Sequence, residues 1–272
     1  MTQELLIVEP EVVRRSRVRR EAVGRVTRRT MLPVMTAMVL LAIWEAFVKI
    51  SGIRPVILPA PSDILQAMWV QRELLIANAI PTTMETMGGF VLSAILGGLL
   101  GVLLSYSAFA RDSLYPNVIL FQLIPKVAVA PLFILWLGIG WESRLAIALF
   151  IAFFPIVIST VSGLNAVDPA VLRLCESLTA TRFQVFFKIR LPYSLPFLFN
   201  GMKISMTLAI IGVIVGEFIT SQRGLGYIIL FAGSRLETTM VMAALLVLCL
   251  VGLILYGTVA LAERLIMKKF GD

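Results

Sequence analysis

The chain has 272 residues, of which 59% are hydrophobic and 15% charged, with a mean hydropathy of +0.94 and a net charge of +8. A soluble domain is about 45–50% apolar and about 25% charged. The composition therefore excludes disorder, a collagen repeat, a disulfide scaffold and an ordinary water-soluble enzyme, and points to a chain held mostly inside a bilayer.

Residues 1–30 are polar and hold eight arginines, Arg14, Arg15, Arg17, Arg19, Arg20, Arg25, Arg28 and Arg29. The apolar run over about 31–50 is too long for a signal peptide and no small-x-small cleavage site follows it, so it is read as an uncleaved first span behind an Arg-rich arm. Leu58-Pro59-Ala60-Pro61-Ser62-Asp63 reads as an extended turn, with Ser62 or Asp63 capping a short amphipathic helix over about 63–76. Apolar segments then predict spans at about 79–107, 113–137, 144–164, 196–218 and 239–262. Pro125 and Lys126 interrupt the segment 113–137, and Pro155 sits in the middle of 144–164. The segment 196–218 contains Lys203 and ends at Glu217. The expectation is an all-α, polytopic membrane protein of about six transmembrane helices, with a membrane domain over 31–266 and a short tail over 267–272.

Charge orients these spans. With the N-terminus in the cytoplasm, the inside loops hold the eight arginines of the arm, Arg111, Arg173, Arg182, Lys188, Arg190, Arg264, Lys268 and Lys269, sixteen in all. The outside loops hold five: Arg54, Arg72, Arg144, Arg223 and Arg235. This asymmetry predicts N-in and C-in, and a cytoplasmic loop over about 165–195. The charge thus speaks of orientation and not of nucleic acid. The chain has no His, so an imidazole base, a Ser-His-Asp triad and a His metal site are excluded. Cys175 and Cys249 form no C-x-x-C, and no Walker A motif occurs, so no cofactor, metal or ATP site of its own is expected.

The loop 165–195 is neither plainly apolar nor plainly soluble. Asp168 and Pro169 make an N-cap and N1 pair. About 20 residues of helical pattern follow, with Leu172, Cys175, Leu178, Ala180, Phe183, Phe186 and Phe187 at helix-like spacing, and Pro192 and Pro196 end the region. Such a helix lies near the membrane surface and offers one face to a partner, or serves as an amphipathic connector.

The same stretch resembles the cytoplasmic coupling motif of ABC importer permeases, which runs Glu-Ala-Ala, three residues, Gly, nine residues, Ile, one residue, Leu-Pro. Ile189-Arg190-Leu191-Pro192 matches its end, the Gly falls on Thr179, and Glu-Ala-Ala falls on Arg173-Leu174-Cys175. The spacing fits while the Glu and the Gly are absent. Leu58-Pro59-Ala60-Pro61-Ser62 resembles the segment after the first span of the nitrate/sulfonate/taurine-type permeases. Ile124-Pro125-Lys126-Val127-Ala128 through Trp136-Leu137-Gly138-Ile139-Gly140 is similar to their third span. Gly201-Met202-Lys203-Ile204 and Gly216-Glu217-Phe218 resemble their fifth, and Gly224-Leu225-Gly226-Tyr227 their extracellular loop. Thr179-Ala180-Thr181-Arg182 and the Arg190-Leu191-Pro192 ending look most like the subgroup that imports thiamine-precursor pyrimidines or riboflavin.

The resemblance implies a type I ABC importer permease bundle and a non-catalytic transport subunit in the inner membrane. It implies a homodimer or heterodimer of permeases, two ATP-binding subunits and an extracytoplasmic substrate-binding protein. The coupling residues it implies are Arg173, Cys175, Leu178, Thr179, Ala180, Thr181, Arg182, Phe183, Phe186, Ile189, Leu191 and Pro192. The aromatic side chains would seat in an ATPase groove or pack back on the bundle, and Arg182 and Lys188 would meet acidic groups of the partner or anionic lipid. Because Thr tolerates a positive φ badly, Thr179 is expected within or at the edge of a helix. Arg223, Gly224, Leu225 and Gly226 form a turn that faces either a docked binding protein or solvent.

Charges within spans are expensive and often functional. Lys126, with Gln122 one turn before it, and Glu217 are candidates for the translocation pathway. Lys126 has the alternative of bonding carbonyls freed by Pro125 and Pro131, and Lys203 of an interfacial position. The Gly97/Gly101 and Gly212/Gly216 pairs allow close helix approach within the bundle or at a dimer seam. Two other readings are weighed: an ion-coupled secondary transporter, which needs paired acids where only Glu85 and Glu217 are available, and a permease for sulfonate-, taurine- or nitrate-like anions.

Overall fold

A computed structural model describes residues 11–220 and 222–270, with the side chains of 31–220 and 222–269. Residues 1–10 of the arm and residues 271–272 of the tail lie outside the described residues. The described residues contain helices and no strand. By contacts the chain divides into Met1–Ile64 and Leu65–Asp272.

In the first unit, α1 runs unbroken over Glu11–Ser51, so the span does not begin a separate helix at residue 31. It ends at Gly52, whose φ of 61° closes the helix in a conformation that glycine adopts without steric cost. Glu45 pairs with Lys49 at 2.5 Å and accepts from the Ser62 amide and hydroxyl at 3.0 and 2.7 Å. Ser62 is therefore engaged with α1. The helix that follows, α2 (Pro61–Val70), starts with Asp63 accepting from the Ala60 amide at 3.3 Å and is shorter at its end than the 63–76 expected.

The second unit holds α3 (Arg72–Tyr106), α4 (Ala108–Leu123), α5 (Lys126–Leu137), α6 (Trp141–Leu164), α7 (Pro169–Ser177), α8 (Arg182–Val185), a π-helical turn (Phe186–Arg190), α9 (Leu191–Thr220), α10 (Leu225–Ser234) and α11 (Thr238–Phe270). Five helical stretches among the described residues are long and apolar enough to cross a membrane: Met31–Ser51, Arg72–Tyr106, Trp141–Leu164, Arg182–Thr220 and Thr238–Lys269. The pair α4–α5 is apolar enough to make a sixth span if taken together, and is bent by 100° at its break. The segment 113–137 is thus broken into two helices. Pro125 lacks an amide proton and drives the preceding Ile124 to extended backbone (φ −62°, ψ 132°), and no helix continues through such a pair.

α6 is the central helix, with α3 on one side and α9 on another. Inside lipid, helices associate by close packing of small residues, and α6 shows it on both sides. A Cβ on Gly89 or Gly101 of α3 would stand 2.6 Å from the Ala148 Cβ or 2.5 Å from the Thr160 Cβ. A Cβ on Gly212 of α9 would stand 2.6 Å from the Ala148 Cα. The Ser93 hydroxyl reaches the Leu149 carbonyl at 3.0 Å, and that of Ser205 donates to the Ala152 carbonyl at 2.6 Å. Both G-x-x-x-G pairs are therefore used inside the bundle. α11 lies along α9, where Lys203 and Glu263 form an ion pair beside a core of Phe90, Phe199, Met206, Leu255 and Val259.

Candidate functional site

The coupling candidates lie at one end of the bundle, after α6. Asp168 caps α7 by accepting from the Ala170 amide at 2.7 Å, with Pro169 as the first helical residue. The 20-residue helix expected here is in fact broken after Ser177. The Ala180 amide donates back to the Cys175 carbonyl at 3.0 Å and the Thr179 amide to the Glu176 carbonyl at 2.9 Å. These two bonds define a Schellman close, which needs a left-handed residue at the first position past the cap. That residue is Thr179, with φ 55°. The expectation of a helical Thr179 is overturned: the left-handed turn is kept without a glycine. Its hydroxyl donates to the Leu178 carbonyl at 2.8 Å.

The chain restarts at once. The Thr181 hydroxyl accepts from the Gln184 amide at 3.3 Å, and the Gln184 side chain accepts from the Thr181 amide at 2.8 Å, a complete capping box. From Arg182 the helix continues through the π turn into α9 as one apolar run to Thr220. Pro192 and Pro196 were expected to end this region and do not. Upstream of Pro192 the Leu191 amide reaches the Phe186 carbonyl five residues back, so the wider π turn absorbs the missing proline donor.

The segment sorts its side chains into two sets. Leu174, Leu178, Phe183 and Phe187 are exposed, Phe183 at 72%, and so are Arg173 and Arg182. Cys175, Ala180, Phe186, Ile189, Leu191 and Pro192 are half-buried. Phe186 packs edge-on against Tyr106 of α3 at 5.5 Å between ring centres, and Arg190 lies 5.5 Å over the same Tyr106 ring. Of the aromatic residues, Phe186 packs back on the bundle, while Phe183 is left exposed.

At the other end of the bundle the structure brings together residues that sequence reasoning left apart. Gly224 (φ 110°) is the N-cap of α10, a short apolar helix where a turn or a loop reaching toward a binding protein was expected. Its three leading amides are all received by side chains: Gly224 by the Asn78 Oδ1 at 2.8 Å, Leu225 by the Thr82 Oγ1 at 2.9 Å, and Gly226 by the Glu217 Oε2 at 2.7 Å. The Thr82 hydroxyl in turn donates to the Glu217 Oε1 at 2.6 Å. Glu217 is 1% exposed. A Cβ on either glycine would collide with its carboxylate, which gives the Gly-Leu-Gly pattern its reason. One turn along α3, Glu85 receives a two-pronged ion pair from Arg144, Nε at 2.7 Å and Nη2 at 2.5 Å. Arg144, assigned to a loop from sequence, belongs to the first turn of α6.

Lys126 opens α5 at the elbow, half-buried, with its ammonium donating to the Gln122 carbonyl at 3.1 Å and lying 5.5 Å from the Phe154 ring centre. Gln122 is exposed at the end of α4.

A bent-span helical bundle with a broken helix projecting between its fourth and fifth spans is the architecture of a membrane transport permease. The chain belongs to the family described as binding-protein-dependent transport system inner membrane component, whose model matches residues 74–268. It is 35% identical over 239 residues to the riboflavin transport system permease protein RibX of Chloroflexus aurantiacus, covering 87% of this chain and 89% of that protein. It is 30% identical over 236 residues to the formylaminopyrimidine transport permease protein ThiX of Halalkalibacterium halodurans, covering 86% and 94%. Its fold matches an inward-facing structure of the MetNI methionine ABC transporter with a TM-score of 0.61 at 22% identity, over 75% of this chain and 98% of that one. The chain is therefore an ABC importer permease subunit for binding-protein-dependent transport, a multi-pass protein of the inner membrane, and the subgroup resemblance of its motifs holds.

Proposed function

We propose that this subunit takes up a small heterocycle, a thiamine-precursor pyrimidine or a related ring such as riboflavin, and does no chemistry itself. The names of RibX and ThiX support the substrate class. Two such permease subunits, alike or different, would work with two ATP-binding subunits and an extracytoplasmic binding protein. The observation that carries the coupling role is the exposure of Leu174, Leu178 and Phe183 on a segment that leads into the helical run from Arg182 to Thr220. On this reading 165–195 faces the cytoplasm with both termini, the arm covers 1–30, the membrane domain 31–266 and the tail 267–272. Moving Arg144 out of the loops leaves the charge asymmetry intact. Residues 173–192 would transmit closure of the ATPases, and Gln122 and Lys126 would line the pathway at the elbow. The burial of Glu217 and the pairing of Glu85 argue against an ion-coupled carrier, which needs acids that load and release ions.

Co-purification with the neighbouring ATPase and binding protein, then ATP hydrolysis in liposomes, tests the proposal. Stimulation by a pyrimidine or flavin supports it, stimulation by sulfonate or taurine overturns the substrate class, and uptake driven by an ion gradient without ATP overturns the coupling role.

A further inference from the structure

The end of α3 and the coupling segment enclose a cavity of about 500 Å3 whose lining includes Tyr106, Leu172, Glu176, Arg182, Val185 and Arg190. None of its three charged side chains has an ion-pair partner among the described residues. Arg190 is steadied over the Tyr106 ring, which Phe186 braces from its edge. Two guanidiniums against one carboxylate leave the lining with a single net positive charge, and Leu172 and Val185 make part of its wall apolar.

A pair of guanidiniums suits a phosphate, whose oxygens accept forked hydrogen bonds, and one net positive charge matches the one negative charge of a phosphodiester. A bare phosphate would occupy little of the cavity, which lies in the size range of sites for small organic ligands, roughly 300–1,000 Å3. Glu176 repels a bare phosphate but accepts hydrogen bonds from an alcohol beside it. We propose that this cavity binds the headgroup of an anionic phospholipid, with the phosphate on Arg182 and Arg190, the head alcohol toward Glu176, and the glycerol backbone against Leu172 and Val185. This rests on the reading that the coupling segment lies at the cytoplasmic face of the membrane.

The test uses the full-length permease, stripped of lipid in detergent and titrated with phosphatidylglycerol under native mass spectrometry. One tightly held lipid per chain is expected. Arg182→Gln with Arg190→Gln should weaken it about tenfold or more, while Lys268→Gln with Lys269→Gln, which removes two exposed charges from the last turn of α11 outside the cavity, leaves it unchanged. Glu176→Gln, at an exposed position, should erase a preference for phosphatidylglycerol over phosphatidylmethanol, which lacks the head hydroxyls. Equal lipid retention in the double variant, or equal preference between the two lipids before and after Glu176→Gln, overturns the proposal. Arg-dependent binding of inorganic phosphate without lipid overturns the headgroup assignment. Topology is read separately, by labelling Ser177→Cys with an impermeant thiol reagent in a chain whose Cys175 and Cys249 are Ser. Labelling from outside whole cells overturns the orientation, and a lipid failure with the label inside overturns the site alone.

Discussion

Replacing Thr179 by glycine separates two accounts of the coupling segment by sign. The left-handed conformation costs a non-glycine residue about 1–2 kcal/mol, and a β-branched side chain sits at the upper end of that range. Glycine removes this cost but gains about 0.5–1 kcal/mol of freedom in the unfolded chain. The lost hydroxyl bond to the Leu178 carbonyl is local and exposed. The net effect of Thr179→Gly is a gain of about 1–1.5 kcal/mol in local order, a factor of about 5–13 in the closing equilibrium of the turn. The reporter is the Ala180 amide, whose bond to the Cys175 carbonyl closes the turn at 3.0 Å. Hydrogen exchange on the purified permease, corrected for intrinsic rates, should show Ala180 exchanging more slowly in Thr179→Gly. Were Thr179 helical, as its residue type alone suggests, glycine would lower the stability of its turn instead. Faster exchange at Ala180 would therefore refute the left-handed turn and the strain assigned to it.

Glu217→Ala removes the acceptor of the Gly226 amide and of the Thr82 hydroxyl, at about 1–3 kcal/mol for each group left unpaired. Trypsin should then cut after Arg223, next to the cap of α10, at least several times faster, and an unchanged rate would remove Glu217 from the clamp. Arg144→Met leaves the Glu85 carboxylate uncompensated in the bundle and should lower stability by about 3–5 kcal/mol, whereas Arg144→Met with Glu85→Met should recover most of it. Thermal unfolding in detergent checks both, and equal losses would show that the pair is not a unit. Gly101→Ala presses a methyl to 2.5 Å from the Thr160 Cβ, while Gly98→Ala meets nothing within 4 Å. The first should cost about 1–3 kcal/mol by overpacking and the second nothing, both read from the same unfolding assay.

The spans were legible because about 20 apolar residues in a row is a one-dimensional signal. It does not carry how a helix ends. α3 begins at Arg72, seven residues before its apolar segment, because Arg72, Glu73 and Asn78 flank the short apolar stretch 74–77 and interrupt the apolar count without ending the helix. α10 was missed because ten residues are too few to span and its glycine pair reads as a turn. The clamp joins residues 135 and 143 positions apart, which no local pattern links. A hint was present nonetheless: Asn78, Thr82, Glu85, Thr86, Gly89, Ser93, Gly97 and Gly101 recur every three or four positions. Small and polar residues at that period mark the face of α3 that meets other helices. The motif spacing placed Thr179 correctly and its residue type argued for the wrong backbone, because the two local backbone bonds that close the turn outweighed a left-handed cost of about 1–2 kcal/mol.

The two ends of the bundle are joined by one rod. The helix from Arg182 to Thr220 has 39 residues, about 58 Å at 1.5 Å per residue. Its first turn is fixed by the Thr181 capping box, and near its far end Glu217 holds the amides that start α10. A helix held at both ends and packed along α6 through Gly201 and Gly212 transmits displacement instead of absorbing it. It is weakened at the π turn before Pro192 and again at Pro196, where each proline lacks the amide for a helical hydrogen bond. On the proposed coupling role, motion delivered at Phe183 would have two outlets, bending at Pro192 or shifting α9 with α10 in tow. Phe186 and Arg190 on Tyr106 brace the turn against the first. Tyr106→Ala removes that brace and should lower substrate-stimulated ATP hydrolysis while leaving ATPase binding intact. Unchanged stimulation would show that the turn transmits force without it.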